Sequence, residues 1–94
     1  MTKRELEIAI PVAIGEVIEK CLLMSAKVDG AERERIFQIA RNAEILQSEL
    51  SNELSKVKNN GSKSMANPLL LRIMENLNEK SMGFHEQLNE YSLA

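Results

Sequence analysis

Few residues in this chain have side chains whose type and spacing could carry chemistry. There is one histidine, His85, one cysteine, Cys21, and one aspartate, Asp29. Cys21 and His85 are the only pair that could act as nucleophile and base. Cys21, however, falls on an apolar stripe, where a thiol behaves as a small inert hydrophobe rather than as an activated thiolate. His85 follows Phe84 near the end of a helical pattern, as a half-exposed surface residue able at most to form a pH-sensitive contact. Metal binding fares no better. No His or Cys pair stands at i,i+4 spacing, so a zinc site would need carboxylates for most of its ligands. Asp29-Gly30 could open a calcium loop, but Ala31 and Arg33 stand where further oxygen ligands are required. A carboxylate di-metal site wants Glu three residues before His, and that position is Met82. The glycines, at 15, 30, 61 and 83, are too scattered for a phosphate loop. No catalytic residue, no metal site and no cofactor is expected, and the chain is not expected to be an enzyme.

The elements around these residues read as helices. Thr2 and Glu5 have the spacing of a capping box, which starts helix 1 at Lys3 and carries it to about residue 28, with a kink or restart near Pro11. Ile10, Ile14, Val17, Cys21, Met24 and Val28 recur at steps of four and three, the spacing of a coiled-coil stripe. Ala13, Ile18 and Leu22 widen it, while Glu16 and Lys20 mark a wet side. At Asp29-Gly30 two roles compete: a left-handed glycine that closes helix 1, or an Asp29 cap for helix 2. Helix 2 is expected over about 31–58, with the seam Ile36, Ala40, Ala43, Gln47, Leu50, Leu54 and Val57, flanked by Ile39 and Leu46. Residues 59–67 form a polar loop, and Asn67-Pro68 starts helix 3, over about 68–92. Its seam is Leu70, Met74, Leu77, Ser81, Phe84, Leu88 and Tyr91, and Gly83 weakens it by about 1 kcal/mol relative to alanine.

These seams predict an all-α fold, a single domain over 1–94. Helices 2 and 3 would form an antiparallel hairpin with helix 1 beside it, as a three-helix bundle or as an intertwined helical dimer. One hairpin register places Gln47 opposite Ser81, and Ala43 and Ala40 opposite Phe84 and Leu88. It pairs polar with polar and small with large.

Composition removes several functional classes. The net charge is −2 and aromatic residues make up 3% of the chain. The densest basic stretch, Lys56, Lys58 and Lys63, is thin and lies at a helix end, so nucleic acid is not an expected partner. Charges interrupt both the start of the chain and the apolar stretch from Ile8 to Met24. Neither a signal sequence nor a membrane span is expected, and a cytoplasmic location is the default. A single cysteine excludes a disulfide within the chain and fits a reducing compartment.

Filling the three seams leaves apolar residues over: Leu22, Leu23, Phe37, Ile45, Leu69, Leu71, Ile73 and Met82. Part of this set is expected to complete the core, and the remainder to form an exposed patch of the kind that marks protein contacts. The leading expectation is a non-enzymatic helical interaction module (adaptor, small chaperone or inhibitor) that self-associates, most simply as a twofold dimer. A second is a structural subunit of a helical filament or secretion assembly. The segment Asn67-Pro68-Leu69-Leu70, with Leu77 and Glu90-Tyr91, resembles the second helix of type III secretion needle and rod subunits, small helical hairpins with an Asn-Pro turn. That resemblance spans under a third of the chain. The apolar first helix and a loop without Pro-x-x-Pro depart from it. A third expectation is a DNA-associated helix-turn-helix regulator using Arg33, Arg35 and Arg41, opposed by Glu32, Glu34 and Glu44 among them.

Overall fold

A computed structural model describes residues 2–57 and 68–92. Among these residues there are three helices and no strand: α1 (Lys3–Ser25), α2 (Gly30–Ser55) and α3 (Pro68–Ser92). The predicted loop 59–67 and the Asn67 cap lie outside the described residues.

The start of α1 follows from its sequence. The Glu5 amide donates to Thr2 Oγ1 at 3.1 Å, and the Thr2 amide donates to Glu5 Oε1 at 2.7 Å, closing the capping box. The Thr2 amide, and after it the Thr2 hydroxyl, favour the ionised carboxylate and hold the Glu5 carboxyl below its ordinary range. The expected restart near Pro11 does not occur. The helix continues through Pro11, which is exposed, so the Glu7 carbonyl that lost its donor lies on a side that water can reach.

α1 ends three residues earlier than expected, at Ser25. The Lys27 amide donates to the Met24 carbonyl at 3.0 Å, and Ser25 Oγ to the Leu22 carbonyl at 3.0 Å. Arg33 Nε reaches back from α2 to the Ser25 carbonyl at 3.1 Å, so a cation meets the negative end of the α1 dipole. Asp29 is extended and makes no side-chain cap bond. Gly30 takes the left-handed conformation (φ 63°), but at the first residue of α2 rather than as the closing residue of α1. α2 ends at Ser55 rather than 58, with the Lys56 and Val57 amides bonded to the Glu53 and Leu54 carbonyls.

Two long-range bonds set the direction of α2. Lys3 Nζ donates to the Val57 carbonyl at 3.0 Å at one end, and Arg33 bonds Ser25 at the other, so α1 and α2 run antiparallel. Lys20 Nζ donates to Asn89 Oδ1 at 2.7 Å, which brings the C-terminal parts of α1 and α3 to one level. Helix α1 is the best-packed element: it meets α2 most extensively and α3 next, whereas α2 and α3 share the least.

The core runs along the inner stripes. Leu6, Ile10, Ile14, Val17 and Cys21 on α1 are buried with Ile36, Ala43, Leu50 and Leu54 on α2 and Leu70, Ile73, Leu77 and Leu88 on α3. Each large aliphatic side chain so buried contributes about 1.5–3 kcal/mol. The Ser81 hydroxyl is buried with no hydrogen-bond partner. The expected Gln47–Ser81 pairing is therefore not made as a hydrogen bond, as befits the least closely packed pair of helices.

Candidate interaction face

The outer side of α1 is built on the same rule as its inner side. Ile8, Val12, Gly15, Glu19, Leu22 and Ala26 recur at steps of four and three, a second stripe of coiled-coil spacing. At 3.6 residues per turn these six, with Leu23, fall within about 100° of arc. Leu6, Ile10, Ile14, Val17, Cys21 and Met24 occupy the opposite side, where all are buried. On the outer stripe Ile8 is 58% exposed, Val12 56%, Leu22 60% and Leu23 62%. A helix with apolar stripes on two opposite sides is ordinarily covered on both. Here the described elements cover one.

The residues left over from the seams divide into two groups. Leu22, Leu23, Phe37, Ile45, Leu71 and Met82 are exposed. Ile73 is not: it is fully buried, a core residue between Leu70 and Leu77, and Leu69 is half-buried against the same core. The reason is that α3 packs against two neighbours, so its buried stripe is wider than one seam and takes in Ile73. Ile8 and Val12 were absent from the expected surface. Their signal lay in the sequence as a four-residue step that joins on to Gly15, Glu19 and Leu22, but the breaks at Gly15 and Glu19 hid it.

The exposed residues do not form one patch. Phe37 stands four residues along α2 from Arg33, at the end where Arg33 meets Ser25, so it lies at the level of Leu22. Ile45 instead lines an open groove between α2 and α3, of about 410 Å³, with Leu46, Lys80, Gly83 and Phe84 among its walls. Met82 borders a shallow depression with Glu75, Asn78 and Glu79 on α3.

The polar groups around the outer stripe are unevenly used. Lys20, on the wet side with Glu16, donates to Asn89. Among the described residues neither Glu16 nor Glu19 forms an ion pair. A Cβ added to Gly15 would meet nothing within 4 Å, so no packing among the described residues calls for glycine there. Cys21 is buried on the inner stripe, and burial pushes its thiol pKa up, opposite to the shift that activates a nucleophile. His85, half-buried on α3, is separate from it in sequence and element. Among the described residues no three His, Cys, Asp or Glu side chains group to hold a metal ion. No described helix is long and apolar enough to cross a membrane.

Comparison with protein-family models, with curated proteins and with solved structures finds no match.

Proposed function

We propose that this chain is a non-enzymatic helical interaction module, which acts by burying the outer face of α1 against a helix of another polypeptide. The observation that carries this reading is the second stripe: three large aliphatic side chains at coiled-coil spacing, Ile8, Val12 and Leu22, with Leu23 beside them, each more than half exposed along one helix. On this reading the chain works as a three-helix bundle in which α1 packs against both α2 and α3 and turns its outer face away from them. An adaptor, a small chaperone or an inhibitor would all use such a face. An intertwined dimer is the form in which the same face meets a second copy.

A structural subunit of a larger helical assembly is the second reading. What favours it is apolar exposure on the other helices as well, at Ile45 on α2 and at Leu71 and Met82 on α3. A subunit with contacts on several sides can grow without closing. For the DNA-associated reading, Arg33 Nε is already engaged by the Ser25 carbonyl, which ties that side chain to the α1–α2 junction.

The test pairs the native chain with Val12→Lys/Leu22→Lys, which leaves the inner stripe untouched. Circular dichroism should be unchanged, while a contact seen with the native chain by sedimentation or by cross-linking in its own cell extract should be lost. A closed complex supports the module and open-ended growth supports the assembly subunit. If the double variant keeps every contact of the native chain, the face is not the site and the reading is wrong.

A further inference from the structure

We infer that the outer face of α1 is built for a partner helix that carries a lysine or arginine in the middle of its own apolar stripe, and not for a second copy of this chain. The inference rests on the interaction-module reading above and adds the chemistry of the partner.

Charge decides between the two occupants. Along the outer face the ends are apolar, with Ile8 and Val12 at one and Leu22 and Leu23 at the other. The middle holds Glu19 in the stripe and Glu16 at its edge, and among the described residues neither has an ion pair. The nearest cation on the same helix, Lys20, is turned to Asn89 at 2.7 Å. Arg4 and Lys27 stand beyond the two ends of the stripe.

A second copy fits this pattern badly. An antiparallel twofold pairing that covers both ends sets Val12 against Leu22 of the other copy, and Ile8 against its Ala26. The same register brings Glu16 beside Glu16 of the other copy, with both Glu19 side chains near the axis. A parallel pairing sets Glu19 directly against Glu19. Like charges facing across a helical interface oppose association, and burial makes the repulsion worse. Sliding the copies to bring Arg4 or Lys27 against Glu16 leaves half of the apolar stripe uncovered.

A helix with a central Lys or Arg meets both demands. Its apolar residues cover Val12 and Leu22, and its cation lies between Glu16 and Glu19 where those carboxylates lack a partner. Gly15, with open space above it, lets the partner backbone come close at that level. The acidic centre then sets both register and choice of partner, as polar residues within coiled-coil seams do.

The experiment uses the full chain and two synthetic amphipathic helical peptides with leucine at four- and three-residue steps. They are identical except for a central lysine in one and a central glutamate in the other. Fluorescence anisotropy should show the lysine peptide binding about tenfold more tightly, with the preference shrinking as salt is added. In Glu16→Gln/Glu19→Gln the preference should fall to less than about twofold, and Val12→Lys should abolish binding of both peptides. Equal binding of the two peptides by the native chain overturns the inference. So does a concentration-dependent dimer in sedimentation that Val12→Lys dissolves, although that result upholds the interaction-module reading. Failure of both peptides to bind, with no self-association, counts against both.

Discussion

The two sides of α1 carry the same spacing and meet different fates. Inside, Ile10, Ile14, Val17, Cys21 and Met24 are buried against α2 and α3. Outside, Ile8, Val12 and Leu22 repeat the pattern and remain open. Periodicity therefore shows that a stripe exists, and charge content shows what it can meet. The inner stripe has no charged residue and packs within the chain, whereas the outer one holds Glu19 and is bordered by Glu16. A buried carboxylate without a partner costs far more than an apolar contact returns. The fold thus buries the uncharged side.

The largest effect that could break this comparison comes from truncating each stripe in turn. Ile14→Ala should destabilise the chain by about 2–5 kcal/mol in chemical denaturation, because the fully buried side chain leaves a cavity. Val12→Ala, two residues earlier on the other side, should change stability by less than about 0.5 kcal/mol. Equal costs at the two positions would mean that the outer face is covered in the free protein. A smaller effect, of opposite sign, is expected at Gly15. Gly15→Ala should stabilise the free chain by about 1 kcal/mol, since alanine favours the helix and nothing stands within 4 Å of the new methyl group.

The contrast also shows what the sequence made legible. The capping box at Thr2, the inner stripe of α1 and the buried Ile36, Ala43, Leu50 and Leu54 of α2 follow from local spacing, whereas the seam positions Ala40 and Gln47 are half-buried and the flanking Ile39 and Leu46 are buried. Which of the leftover residues completes the core could not be read from spacing, because two candidate stripes run side by side on α3. Leu70, Met74 and Leu77 make one, Leu70, Ile73 and Leu77 the other, and which is buried depends on where α1 lies. The role of α1 as the best-packed helix is tertiary for the same reason. Two amphipathic helices can be aligned by their seams, but a helix with two apolar stripes fits more than one arrangement. Arg33 capping α1 was not legible either, since it joins the end of one helix to the first turns of the next.

The α2–α3 side supplies a test of how loosely that pair is joined. Ser81 Oγ is buried without a partner, so Ser81→Ala removes an unsatisfied group and should raise stability by about 0.5–1 kcal/mol. A loss of stability would mean that the hydroxyl finds a partner in solution, such as Gln47 in the register expected from sequence.

The smallest thermodynamic effect lies at Cys21, and it sharpens the comparison through rates. The thiol is buried on the inner stripe, and desolvation of its anion pushes the pKa above the ordinary value of 9.0. A raised pKa means that ionisation favours the unfolded chain. The stability contributed by keeping the thiol neutral is fully present below the unfolded value. It is lost as pH rises from there through the higher folded value. The denaturation midpoint of the native chain, measured against Cys21→Ala, should therefore hold steady through neutral pH and fall only in the alkaline range above 9.0. Thiol labelling at pH 8 reads the same burial directly. Cys21 should react slowly, limited by opening of the fold, whereas Cys21→Ala/Leu22→Cys should label at the rate of a free thiol. One residue along the helix turns the side chain by about 100°, from the inner stripe to the outer. Equal labelling rates at the two positions would remove the distinction between the faces.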